Sequence, residues 1–475
     1  MNLIKHMAFT SNIILLVLTT SCSLFSCSKS KQLEETPVQV WITNPGMTAL
    51  LWKTNAETIT ENTDNLPVIK IDPTQRYQTI DGFGYTLTGG SATLINQMSA
   101  PEKTNLLQEL FGKSDNAIGI SYLRISIGAS DLSASVFTYD DLPDGQTDET
   151  LQQFNLSKDT VDLVPLLKEI LAINPNIKIM GSPWTAPLWM KSNNNSVGGD
   201  LKIQNYGHYA AYFVRYIQEM KARGITIDAV TPQNEPQHGG NNPSMVMSAT
   251  QQANFIKNHL GPAFKNAGIT TKVIVWDHNC DNPGFPIAIL DDPAANLFVD
   301  GAAFHLYNGD ISALSQVHDA FPSKNLYFTE QWTGSTGTFA GDLKWHVKNV
   351  MIGSMRNWSK VALEWNLAND PEYKPHTPGG CSQCKGALTI DGNHFTRNVS
   401  YYIIAHLSKF VPAGSVRISS NISGQLSNVA FETPEGKFVL VVLNESDQPA
   451  KFLIKIKDKT IGTTLSAGST GTFVF

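Results

Sequence analysis

Long apolar runs are nearly absent from this chain. Past the N-terminal segment, nothing approaches the ~20 consecutive apolar residues that a membrane-spanning helix needs. An excess of one charge is missing too. The 35 Lys and Arg stand against 41 Asp and Glu, a formal charge of −6 over 475 residues, which excludes the basic face of a nucleic-acid binder. No glycine-rich phosphate loop is followed by lysine, and no GxSxG elbow supports a serine nucleophile. No His/Cys cluster stands at metal-ligand spacing, so neither a metal nor another cofactor is expected. What remains is 41% hydrophobic and 16% charged. That balance belongs to a soluble globular protein, long enough for a large core with an appended module.

Cysteine is scarce, and its five positions fall into two groups. Near the N-terminus Lys5 and His6 precede "NIILLVLTT" and then "SCSLFSCSKS". A short apolar region followed by small residues and cysteine resembles a bacterial lipoprotein signal, expected over residues 1–27. "LFSC" has Leu three before the cysteine and Ser just before it, which favours Cys27 as the lipidated residue over Cys22. A cleaved secretory peptide with incidental cysteines is the alternative. Either way the mature chain leaves the cytoplasm. It is expected in the cell envelope, lipid-anchored to the outer membrane on its surface or periplasmic face, or otherwise secreted. Residues 28–36 read as a polar tether. The second group is Cys280, Cys381 and Cys384. A lone CxxC in "GGCSQCKG" offers too few ligands for structural zinc. In an oxidising compartment a local Cys381–Cys384 disulfide is expected, with Cys280 free.

From Tyr77 onward, eight short β-branched or aromatic-rich runs alternate with helical patterns: "TIDGFGYTLT", "ISYLRISIG", "IKIMGSPW", "IDAVTPQNE", "KVIVWDHN", "VDGAAFHLYN", "NLYFTEQW" and "KVALEWNLAND". Two of the intervening helices finish at Gly224 and Gly268, where left-handed caps are expected. Continuous apolar strands separated by helices imply a parallel sheet covered on both faces. Eight such units predict an α/β fold, a closed (β/α)8 TIM barrel, over residues 71–410. Residues 411–475 change to alternating strands, with "TPEGKF" as a hairpin turn. That stretch is short for a complete sandwich. The strand-like residues 37–70 are therefore expected to cross over and complete a side β-sandwich.

Chemistry in such a barrel gathers at the C-terminal ends of the strands. Those ends read as Asp81, Arg124, Trp184, Asn234–Glu235, Asp277–His278, His305 with Tyr307, Glu330–Trp332, and Glu364–Trp365–Asn366. Glu235 ends the fourth strand and Glu330 the seventh, placing two carboxylates across the barrel mouth. Glycoside hydrolysis uses such a pair, one to protonate the leaving oxygen and one to attack or to activate water. A salt bridge at a barrel end would account for either glutamate alone. Both together, among Trp and Tyr, point to catalysis.

"TPQNEP", "YFTEQW", "SPWTAPLWMKSN" and "LEWNLAND" together resemble the retaining β-glycosidases of glycoside hydrolase family 30, over nearly the whole mature chain. The resemblance implies Glu235 as acid/base, with a raised pKa, and Glu330 as nucleophile. It implies Asn234 on the sugar 2-OH, Arg124 and Tyr307 on the nucleophile with His305 beside them, and Asp131 on sugar hydroxyls. Trp184 and Trp365 are implied to line the same subsite. The alternatives are a loop cap for Asn234, a structural salt bridge for Arg124, core packing for the two tryptophans and a satisfied core histidine for His305. One departure stands out: in "GFGYTLTGGSA", Gly89 occupies a position where the family often has Asp. The family includes glucosylceramidases, β-glucosidases, xylan-active enzymes and β-1,6-glucanases. "HTPGGCSQCKGALTIDG" resembles the β-1,6-glucanase branch. The expected activity is endo-cleavage of β-1,6-glucan by a monomer, with the polysaccharide as partner. A non-catalytic glycan-binding lipoprotein and a transglycosylase are the readings that compete with it.

Overall fold

The computed structural model of the protein describes residues 38–56 and 65–475. The expected signal segment with Cys22 and Cys27, and the tether, lie outside the described residues.

Eight parallel strands close into a barrel: β1 (Gly82–Thr86), β2 (Tyr122–Ser126), β3 (Lys178–Ser182), β4 (Ala229–Val230), β5 (Lys272–Cys280), β6 (Val299–Gly309), β7 (Asn325–Glu330) and β8 (Ser359–Asn366). Each pairs with the next, and β8 returns to β1. Side chains alternate across a strand, so every second residue points into the lumen. One lumen cluster is Tyr122, Met180, Ala229, Ile274, Ala303, Tyr327, Val361 and Leu363, all buried. Two residues further along, the same faces carry Arg124, Ser182, Thr231, His305, Thr329 and Trp365. The polar floor of the site is thus the next layer up from an apolar plug. β5 reaches that layer one residue later, at Asp277, because its register shifts between Trp276 and His278.

The surrounding helices follow from periodicity and caps. Leu163–Ile173 buries Leu163, Val164, Leu166, Leu167 and Ile170 on one stripe. Gly224 and Gly268 adopt φ of 82° and 63°, and paired hydrogen bonds close each helix end: Gly224 N–H to Lys221 with Ile225 N–H to Met220, and Gly268 N–H to Lys265 with Ile269 N–H to Phe264.

The terminal strands meet as expected in one nine-stranded sheet, where Gln39–Thr43 pairs antiparallel with Thr470–Val474. Its core includes Val40, Ile69, Ile418, Leu440, Phe452 and Phe473. The expected division at 70/71 cuts through a single strand. Val68–Thr79 pairs parallel with Ala450–Ile456 and then antiparallel with Val416–Ser420. The polar stretch "DPTQRYQT" carries no apolar alternation to announce that strand, and the barrel begins only at Gly82. Helix Val399–Ser408, buried along its whole length, lies between the two modules. His406 there bonds Thr472 Oγ1 and Thr43 Oγ1, each at 2.8 Å. Burial pushes its imidazole down to about 3.

Candidate active site

Arg124 organises the floor. It is fully buried at the end of β2, and its guanidinium donates to Glu330 Oε2 (2.6 Å), Asn234 Oδ1 (2.6 Å) and Asp277 Oδ2 (2.8 Å). It lies 4.9 Å from the ring centre of Trp184 and 5.9 Å from that of Trp365, and the two indoles stack at 5.3 Å. Asp277 also accepts from Ser182, Thr231 and Thr329 hydroxyls. Burial works against its charge, but Arg124 and His305 outweigh it and hold the carboxyl well below its usual range.

The two glutamates reach the same ring. His305 Nδ1 is 3.0 Å from Glu235 Oε1 and 3.8 Å from Glu330 Oε1. Those carboxylate oxygens can be no farther apart than the two distances laid end to end, short enough to bracket one sugar carbon. Glu330 further accepts from the Tyr307 hydroxyl at 2.9 Å. The Tyr307 ring is 39% exposed while its hydroxyl turns inward. Three backbone positions here are left-handed without being glycine: Glu235 (φ 43°), Trp276 (φ 74°) and Asp277 (φ 61°). The Glu235 N–H donates to the Asp277 carbonyl at 3.0 Å, which locks this pair of bends.

Protons are distributed differently from the sequence expectation. Burial favours a neutral Glu235, yet His278 and His305 outweigh it and hold its pKa below the usual carboxylate range. His305 is raised to about 9: burial opposes its charge, and the carboxylates of Glu330, Asp277 and Glu235 overcome that. These shifts favour an ionised Glu235 beside a protonated His305, whose Nδ1 lies 3.0 Å from the Glu235 carboxylate. Burial, with neighbouring carboxylates, pushes Glu330 upward, and His305 and Arg124 oppose it. Asp131 is raised to about 7 by burial first and the Glu330 charge second.

A cavity of about 400 Å³ opens over this floor, lined by Asp131, Trp184, Glu235, Tyr307, Glu330 and Trp365. Arg124 and His305 are 0% exposed and contact the glutamates from beneath, Arg124 on the Glu330 carboxylate with His305 beside it. Asn234 is also nearly closed off, at 4%. Further lining residues were not singled out from sequence as ligand contacts: His278, Trp332 and the Cys381–Cys384 disulfide, which forms as expected while Cys280 stays free and buried. His278 and Trp332 stood at strand ends, and that position was the signal available. The disulfide loop docks on Asp131, whose Oδ2 accepts from the Cys381 N–H at 3.2 Å.

Two strand-end readings fail. Asp81 precedes β1 and so lies at the opposite end of the barrel, paired with Lys178 and Lys360. Glu364 faces outward from β8 and bonds His346 Nδ1 at 2.8 Å. Gly89 opens helix Gly89–Gln97, where a Cβ would meet Ser133 Oγ at 3.1 Å, outside the cavity lining. A larger cleft near Trp41 and Lys53 is lined by Glu109, which is bound to Arg397 and Tyr401, and by Asp115.

A (β/α)8 barrel with two carboxylates facing one aromatic-walled cavity defines a glycosidase. More narrowly, the chain belongs to glycosyl hydrolase family 30, whose TIM-barrel domain matches residues 80–411 and whose β-sandwich domain matches residues 414–473. It is 35% identical over 396 residues to the endo-1,6-β-D-glucanase of Aspergillus fumigatus, covering 77% of this chain and 78% of that protein. The mouse lysosomal acid glucosylceramidase is 29% identical over 433 residues, covering 84% and 82%. A solved endo-β1,6-glucanase superposes with a TM-score of 0.86 at 35% identity, over 92% of this chain and 99% of that one.

Proposed function

We propose that this chain is an endo-β-1,6-glucanase that retains anomeric configuration by double displacement. The observation that carries the proposal is the convergence of Glu235 and Glu330 on His305 Nδ1 beneath one cavity. The linkage is supported by relatives named as 1,6-β-glucanases. Glu330, oriented by Arg124 and Tyr307, attacks the anomeric carbon while the Tyr307 proton stays in place. Burial lifts that phenol well above its usual pKa, and the Glu330 charge adds to the effect. Glu235 delivers to the leaving oxygen a proton that passes to it from His305 across their 3.0 Å contact. Once Glu330 is esterified its charge is gone, and Glu235 takes a proton from water to release the sugar. Asn234 offers its Oδ1 to Arg124, which leaves its amide nitrogen as the donor for the sugar 2-OH. The N-terminal sequence features support a lipid-anchored enzyme at the cell envelope.

The test compares products from linear β-1,6-glucan, xylan and aryl β-glucosides. Oligosaccharides of mixed length from the β-1,6-glucan are expected. Efficient cleavage of xylan or aryl glucosides without release from β-1,6-glucan overturns the assignment. Glu330→Gln should abolish turnover. Glu235→Gln should lose about 10²–10⁴-fold on glucan, where the leaving group needs a proton, and recover with azide on an activated substrate.

A further inference from the structure

We propose that Glu235, His278 and His305 form a binding site for a divalent transition-metal ion, through which Zn²⁺ silences the enzyme. Glu235 follows β4, while His278 and His305 lie within the neighbouring β5 and β6, and their ligand atoms all lie within 4.8 Å of one another. Glu235 Oε1 is 3.0 Å from His305 Nδ1 and 3.5 Å from His278 Nδ1. Tetrahedral zinc with bonds of about 2.0–2.1 Å places adjacent ligand atoms roughly 3.3 Å apart, close to both spacings from Glu235, and the two imidazoles have at most 4.8 Å between their ligand atoms to close.

Three further observations favour an ion. His278 is only 8% exposed, and its buried Nδ1 faces Glu235 across a 3.5 Å contact that is too long for a well-formed hydrogen bond. A buried polar atom so weakly satisfied is uncommon. His305 presents Nδ1 to the site while Nε2 lies 3.1 Å from Asp277 Oδ1. That carboxylate–histidine arrangement orients and strengthens imidazole ligands in zinc sites. The charge also suits a divalent ion. Glu235, Glu330 and Asp277 converge here around one guanidinium, that of Arg124, so an ion that takes the place of the His305 proton enters a cluster richer in carboxylates than in fixed cations.

Glu235 and His278 both line the open cavity, so the fourth coordination position faces solvent or an incoming ligand. Two imidazoles and a carboxylate select Zn²⁺ or Cu²⁺ over Mg²⁺ or Ca²⁺. The ion would take the Glu235 oxygen that the leaving group needs, and sit beside Glu330. Inhibition rests on the catalytic roles proposed above; metal binding does not.

The test uses the full chain with zinc chloride, in competition with a chromophoric chelator. Replacing His278 by Ala should weaken Zn²⁺ binding by at least about tenfold, with Mg²⁺ failing to compete in either protein. His278→Asn serves if the alanine variant does not fold. Cys22 and Cys27 are common to all these proteins and cancel in the comparison. At one equivalent, X-ray absorption of the zinc-loaded wild type should show two imidazole ligands. EDTA should restore turnover of whichever glycoside is cleaved. Equal Zn²⁺ affinity in folded His278 variants, or sulfur ligation at one equivalent, overturns the proposal. Chelator competition needs no substrate, so a wrong glycan assignment leaves its reading intact.

Discussion

Arg124 shows how much one side chain can organise. A planar fork reaches Glu330, Asn234 and Asp277 at once while its face lies over two indoles. Lysine keeps the charge but is a point donor without that fork. Arg124→Lys should therefore leave a folded barrel whose glutamates are misplaced, with kcat on its glycoside down by about 10²-fold or more. Circular dichroism beside steady-state kinetics checks this; an unchanged kcat would remove Arg124 from the positioning role. Residues of this kind were legible because inward positions recur every second residue and their chemistry is conspicuous at strand ends. Asp277 was harder to place, since only the bulge in β5 brings it into the floor layer. The depressed pKa of Glu235 was not legible at all. It depends on His278 and His305 from two other strands, and no linear pattern reports that proximity.

At the scale of one element, the loop from Thr377 to Lys385 couples covalent chemistry to the cavity. Thr377 N–H donates to the Asp131 carbonyl and Cys381 N–H to its carboxylate, and Cys384 pairs in a short antiparallel strand with Gly334. The disulfide spans a sequence separation of only three, so it constrains the unfolded chain weakly, by about 2 kcal/mol on a loop-entropy estimate. Its larger effect is to hold the wall beside Asp131. Replacing both cysteines by serine should lower Tm by only a few degrees while raising KM several-fold with kcat less affected, measured on glucan oligosaccharides. A large loss of Tm with unchanged KM would make the bond a global staple instead. The CxxC pairing and the barrel strands were readable from local sequence. The loop's place over the site was not, because loop trajectories are set by tertiary docking. The Val68–Thr79 strand escaped for a related reason: its partners lie hundreds of residues away and its own pattern is polar.

For the whole molecule, barrel and sandwich share a buried polar seam as well as an apolar one. Trp41 packs on Phe410 at 4.5 Å between ring centres, and nearby His406 bridges Thr43 and Thr472 from opposite ends of the chain. Either threonine hydroxyl can accept from the ring, so it is burial in the seam rather than the bonding pattern that favours the neutral imidazole. Burial lowers the folded-state pKa to about 3, whereas the unfolded chain takes up the proton near 6.5. Between those values the unfolded state binds a proton that the folded state refuses, so stability falls as pH drops below about 6.5, and the loss is complete near pH 3. Fully developed, the effect is on the order of 5 kcal/mol. His406→Gln keeps polar atoms in the seam but cannot titrate. It should unfold at a lower temperature than wild type at pH 7.5, and that deficit should shrink steadily toward pH 4.5. Thermal melts across this range decide the matter: a deficit that stays constant with pH would mean that the acid sensitivity of the two-module unit arises elsewhere than at its seam.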